Sequence, residues 1–293
     1  MAPYLSLGDQ MRLRILLPRI ESQQAVASIL SAFDDKIELN RRMNETLEAM
    51  GRAIFNDWFV DFGPTRAKME GGAPYLAPDI WSLFPDRLDD EGKPKGWIDK
   101  PLDQIADFLN GLALQKYPAD DGSSYLPVIK IAQLRAGTSE GADAASTKIP
   151  APYVVEDGDV LFSWSGSLLL KVWTSGRGAL NQHLFKVTST HYPKWFFFHS
   201  VGHHLPHFQA IAASKATTMG HIQRHHLTGA MTTVPEEKVM HAANEIVGPI
   251  FEQAIANDLQ SRTLASVRDL VLPKLMSGEI RVKQAEKVLE AAL

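Results

Sequence analysis

The chain has 293 residues, 45% of them hydrophobic, with no cysteine and a formal net charge of -4, which is enough apolar content for one large domain or two smaller ones. The lack of cysteine excludes disulfides and thiolate catalysis and limits metal ligands to His and carboxylates, while the acidic balance confines any nucleic-acid site to a local patch. No apolar run reaches the roughly 18 to 20 residues that cross a bilayer and no basic-then-apolar leader opens the chain, so a soluble cytoplasmic protein with no membrane partner is expected.

The first segment, YLSLGDQMRLRILLP (Tyr4 to Pro18), leads into a long helical pattern. Val26, Leu30, Phe33, Ile37, Asn40, Asn44, Leu47, Gly51, Ile54 and Trp58 step by fours and threes, a heptad seam whose other faces carry Asp, Glu, Lys and Arg. The pattern predicts a helix from about Ser22 to Phe59, on the order of 55 Å long. Such a helix needs a second one to cover its seam. Residues 62 to 100 are rich in Pro, Gly and charge and read as a connector.

Short β-like runs follow at Tyr125 to Ile131, Asp159 to Trp164, Leu169 to Thr174 and His183 to Thr188, and a helical run extends from Trp195 to about Ala213. Glu236 to Met276 then repeats the seam with Ala243, Val247, Ile250, Ala254, Asn257, Ser261, Leu264, Val271 and Leu275. An offset of 217 carries the first seam onto the second, placing Asn40 on Asn257 and Asn44 on Ser261. It also aligns Tyr4 to Pro18 with HIQRHHLTGAMTTVP, His221 to Pro235. The expected fold is α+β, one mixed α/β domain of short strands flanked by two long antiparallel coiled-coil helices. Phe33, Ile37, Asn40, Asn44, Leu47, Ile250, Asn257 and Leu264 are expected to pair the helices, with the buried asparagines setting register at some cost in stability. The opening segment is expected to be the tail of a domain whose body is absent.

Nine of the ten histidines fall in the middle region, which carries 13 Lys/Arg against 10 Asp/Glu between Gly92 and Thr233. Its loops hold side chains suited to base edges and phosphates: Gln133 and Arg135, Trp164, Lys171 and Arg177, Asn181 with Gln182 and His183, Thr217 and Thr218, and His221 with Arg224. These residue types also occur on any solvated loop. His199, His203 and His207 have the spacing of helical metal ligands, but no glutamate lies between them as in the metalloprotease motif, and Pro206 is expected to break the helix before His207. No metal site is expected. The aromatic run Trp195 to Phe198 is expected in the core. Phosphate-loop, nucleophile-elbow and dinucleotide motifs are missing, and SWSGS at Ser163 to Ser167 lacks the elbow's first glycine.

The stretch LPRIESQQAVASILSAFDDKIELNRRMNETLEAMGRAIFNDWFVDFGPTRAKMEG closely resembles the central conserved region of type I restriction-modification DNA specificity (S) subunits. PKGW, EDGDVLFSWSG, LNQHLFKV, TTMGHI and the final long helix resemble one target recognition domain and its helix, so the likeness covers nearly the whole chain. Family members carry two such domains separated by two antiparallel helices, and this sequence would hold one. The resemblance implies a first-domain tail at 1–18, a central long helix at 19–61, a connector at 62–100, the recognition domain at 101–234 and the C-terminal helix and tail at 235–293. It further implies a non-enzymatic chain that binds double-stranded DNA and docks methyltransferase (M) subunits, with restriction (R) subunits joining through the complex. S-adenosylmethionine is expected on the M partner, whose Asn/Asp-Pro-Pro-aromatic motif does not occur here, and a homodimer would restore two domains. The competing readings are a helical adaptor that no longer reads DNA and a His-rich metal-binding protein.

Overall fold

The computed structural model describes residues 6–13, 19–119, 124–214 and 220–292. In chain order the helices are α1 (Leu7–Gln10), α2 (Ile20–Phe59), α3 (Gly63–Met69), α4 (Pro78–Leu83), α5 (Leu102–Ile105), α6 (Ile131–Ala136), α7 (Lys194–Ser214), α8 (Arg224–Gly229), α9 (Glu237–Ser277) and α10 (Val282–Ala292). The strands are β1 (Ile98–Pro101), β2 (Asp107–Asn110), β3 (Tyr125–Ile129), β4 (Ala144–Ser146), β5 (Val154–Val155), β6 (Val160–Ser163), β7 (Leu170–Val172), β8 (Gly178–Leu180), β9 (Leu184–Thr188) and β10 (Met231–Val234). Two compact units result, Met1–Arg42 with Gln260–Leu293, and Met43–Leu259. Both α2 and α9 contribute a segment to each.

In the first unit the seam residues Val26, Phe33, Leu264, Val271 and Leu275 are buried together, and α10 adds Ala285 to the same cluster. Asp34 meets Arg268 at 2.5 Å and Asn40 donates to Gln260 Oε1 at 2.9 Å and to Ser261 Oγ at 3.2 Å. As one partner's number rises the other's falls, so these helix segments run antiparallel. Burying each such Leu, Val or Phe contributes about 1.5 to 3 kcal/mol.

The second unit holds the sheets. The largest runs β2-β9-β6-β7, all antiparallel, with Asn110 opposite Phe185 and Phe162 opposite Phe185. A second runs β4-β3-β8-β5 and contains one parallel pair, β3 with β8, and β1 pairs with β10. Strand β6 is buried along its whole length because α7 covers one face of its sheet, through Phe162 and Phe208, and the second sheet lies behind Leu161. Trp195, Phe196 and Phe197 of α7 pack with Phe55, Trp58 and Phe59 of α2 and with Ala243 and Val247 of α9. The aromatic run is therefore core.

Helix α7 does not stop at Pro206, as expected above, but continues to Ser214. Proline removes one N–H and crowds the carbonyl four residues back. That residue is Gly202, which has no side chain to add to the crowding. The burial of Phe208 and Ala212 beyond the proline outweighs one lost hydrogen bond.

Candidate nucleic-acid interface

The loops at one end of the largest sheet are stitched together by backbone and side-chain bonds. Leaving β6, Trp164 accepts the Ile222 N–H at its carbonyl (2.9 Å), and Gly166 donates to the Gly220 carbonyl (2.8 Å). Trp164 Nε1 donates to Asn110 Oδ1 at 2.8 Å and to the Gln182 carbonyl at 3.2 Å. Its ring lies 5.9 Å from that of His183, 6.1 Å from Phe185 and 6.4 Å from His221. Ser165 Oγ is 3.0 Å from His183 Nδ1, and Asn181 Oδ1 accepts the His183 N–H at 3.2 Å. Arg224 donates from Nη2 to the Phe108 carbonyl at 3.3 Å and lays its guanidinium 5.9 Å from the centre of the Phe185 ring. Arg224 is exposed, so its positive charge faces solvent over an aromatic base.

Close backbone approach fixes this end of the sheet. A Cβ on Gly111 would lie 2.2 Å from the Asn181 carbonyl oxygen and 2.6 Å from that of Leu180. Only glycine lets β2 end against the 181–183 turn.

Of the residues singled out in the sequence, Trp164, Asn181, Gln182, His183, His221 and Arg224 are therefore brought into one cluster. Gln133, Arg135 and Lys171 form a second group: Gln133 Oε1 accepts the Lys130 N–H at the start of α6, and Lys171 Nζ donates to the Arg135 carbonyl at 3.0 Å. Gly166, two residues after Trp164, lies near Ile131 at the start of α6, since a Cβ there would sit 3.6 Å from Ile131 Cδ1. Arg177 lies apart in an exposed ion pair with Glu156 at 2.9 Å. Thr217 and Thr218 lie outside the described residues. Ser165, beside Trp164 in the same loop, belongs to the cluster, and Asn110 is a member that the sequence did not single out. The signal for Asn110 was weak, because β2 is four residues long and only Phe108 in it is fully buried.

In the same unit a cleft of about 700 Å³ opens between α2, α7, β7 and α9, lined by Leu47, Gly51, Lys171, His199, Ile250 and Asp258 among others. His199 sits against Gly51 among the rings of Phe55, Phe198 and Phe251. Burial, reinforced by the nearby Arg52 charge, lowers its pKa to about 4. The ring is therefore neutral across the physiological range. His204 Nε2 lies 3.0 Å from the Met231 carbonyl, and among the described residues no group of three His, Asp or Glu side chains converges as metal ligands would. In this unit the seam carries Asn44, which donates to the Ala254 carbonyl at 2.9 Å and to Asp258 Oδ1 at 2.7 Å and accepts from Asn257 Nδ2 at 2.9 Å.

Known proteins resemble this chain in sequence and in fold. No protein-family model matches the chain. The specificity subunit of the type I restriction enzyme MjaIX from Methanocaldococcus jannaschii is 26% identical over 296 residues, covering 96% of this chain and 64% of that protein. That of HindI from Haemophilus influenzae is 23% identical over 327 residues, covering 95% and 71%. Its relatives are type I restriction enzyme specificity subunits. A crystal structure of the type I restriction-modification S subunit from M. genitalium has the same fold, with a TM-score of 0.50 at 13% identity over 88% of this chain and 61% of that one. The chain thus spans roughly two thirds of the length of the specificity subunits it matches. Among the described residues no helix is long and apolar enough to cross a membrane.

Proposed function

We propose that the chain is the DNA specificity subunit of a type I restriction-modification complex. Its 101–234 domain reads one half-site of double-stranded DNA through the Trp164, His183 and Arg224 cluster. Its helices, 19–61 and 235–293, dock methyltransferase subunits, through which restriction subunits join. The chain itself catalyses nothing in this scheme; S-adenosylmethionine is held by the methyltransferase partner, and the complex works in the cytoplasm. The observation that carries the reading is the gathering of an exposed arginine, an asparagine amide and two histidines on one sheet end, in a chain whose relatives over 95% of its length are named specificity subunits.

Docking has support on the helix surface. Met43 and Met50, seven residues apart on α2, expose apolar side chains, as do Leu272 and Met276 on α9. Apolar side chains spaced by four or seven on one helix face suit a partner helix. Because one domain supplies one half-site, a homodimer around two methyltransferase subunits would read an inverted repeat. Light scattering coupled to gel filtration, on the chain alone and mixed with a type I methyltransferase subunit, tests the docking. A complex with equal numbers of both chains supports it, whereas a chain that elutes alone from an equimolar mixture contradicts it.

A further inference from the structure

We infer that Asn110, held by Trp164, is a specificity-determining residue that reads an adenine. The inference rests on the DNA-reading function proposed above. An indole N–H can only donate, so the Asn110 atom at 2.8 Å from Trp164 Nε1 must be the carbonyl oxygen. That bond removes the freedom of a surface carboxamide to flip end for end. Nδ2 is thereby turned away from Trp164, and among the described residues it has no hydrogen-bond partner.

Oδ1 has two lone pairs and Trp164 takes one, so the exposed Asn110 carboxamide still offers an acceptor as well as the Nδ2 donor. Adenine's major-groove edge offers the complement, a donor at N6 beside an acceptor at N7, and a side-chain carboxamide pairs with both. The backbone below is equally fixed. Asn110 is registered opposite Phe185, and Gly111 is wedged against the Leu180 and Asn181 carbonyls. A carboxamide with its orientation and its Cα both set loses little entropy on binding, which is what a base-reading contact requires. Arg224 stands on the neighbouring Phe185 ring, where its charge can draw the phosphate backbone toward the same edge.

The test is selection of bound sequences from a randomised duplex DNA pool by the full chain, by Asn110→Ala, by Asn110→Asp and by Trp164→Phe. Asn110→Asp keeps the oxygen that Trp164 holds but deletes the donor. The wild-type chain should enrich a half-site containing an adenine whose preference falls about tenfold or more in both Asn110 variants and by less in Trp164→Phe, with the other positions unchanged. The same adenine preference in wild type and Asn110→Ala overturns the inference and leaves DNA reading intact. Loss of preference at every position in Asn110→Ala, with an unchanged circular dichroism spectrum, also overturns it, since the residue would then act on the whole surface. If the wild-type chain enriches nothing, DNA reading and this inference fall together.

Discussion

Asn257 donates from Nδ2 to Oδ1 of Asn44 at 2.9 Å, and the residues that occupy their places in the repeat, Asn40 and Ser261, are bonded at 3.2 Å. The offset of 217 carries donor onto donor and acceptor onto acceptor. The first copy's asparagine donates to the second copy's serine, and the second copy's asparagine donates to the first copy's. Two polar contacts within an apolar seam fix which residues face one another, because any slip would leave buried amides without partners.

Truncating one member should therefore cost more than removing both. Asn44→Ala removes the acceptor of the Asn257 Nδ2 bond and the donor to Asp258, and should lower stability by about 1 to 3 kcal/mol. The double variant Asn44→Leu with Asn257→Leu should recover part of that loss, since Asp258 still lacks its Asn44 donor, while loosening register. Urea unfolding of the three proteins checks the order. A single variant as stable as wild type would remove the seam bonds from the account.

The neutral His199 sets a pH dependence of definite sign. Its folded pKa, about 4, lies below the ordinary value near 6.5, so the unfolded chain binds the proton more tightly in that window. Stability attributable to His199 is full above pH 6.5 and is lost as pH falls toward 4, by on the order of 2 to 3 kcal/mol. Replacing His199 by Leu should flatten the thermal midpoint between pH 6.5 and 4. An unchanged slope in that range would mean the ring is not desolvated.

Gly111→Ala brings a Cβ onto two backbone carbonyls that cannot rotate away. The expected result is a destabilisation of about 1 to 3 kcal/mol and loss of DNA binding at temperatures where the domain stays folded. Thermal melts and fluorescence anisotropy on the same sample separate the two effects.

The two candidate arginines should behave differently. Arg224→Ala should weaken DNA binding and reduce the slope of log affinity against log salt by about 1, as expected for one lost phosphate contact. Arg177 is tied to Glu156 on the exposed surface, and its removal should change stability by less than about 1 kcal/mol and affinity by little. Equal effects from the two would erase the distinction drawn from geometry.

Met43→Glu with Met50→Glu places charge on an exposed apolar face without touching the core. Docking of a methyltransferase subunit should fail while the unfolding midpoint stays within a degree or two of wild type, since exposed substitutions rarely shift stability by more than about 0.5 kcal/mol. Co-elution of the doubly substituted chain with its partner would place the docking face elsewhere.

The helices were legible because a heptad pattern over forty residues states both the element and its need for a partner. Strands β6 and β9 were legible as dense apolar runs such as VLF and LFKV. Strands β1, β2, β4, β5, β8 and β10 are two to four residues long, too short for alternation to register, and exist because longer neighbours offer an edge. The same shortness hid Asn110. Its orientation depends on Trp164, fifty-four positions away, and no local pattern encodes that contact. Pro206 does not end α7 because the rule for proline is local, whereas the burial of Phe208 and Ala212 is tertiary.

The proposed function stands or falls on whether this chain reads a DNA sequence. The most direct measurement is the affinity of the full chain, in complex with a type I methyltransferase subunit, for the duplex enriched by selection and for the same duplex with its base order scrambled, at one fixed salt concentration. The selected duplex should bind at least about tenfold more tightly. Equal affinity for the two would show a helical adaptor that holds its partners without reading DNA.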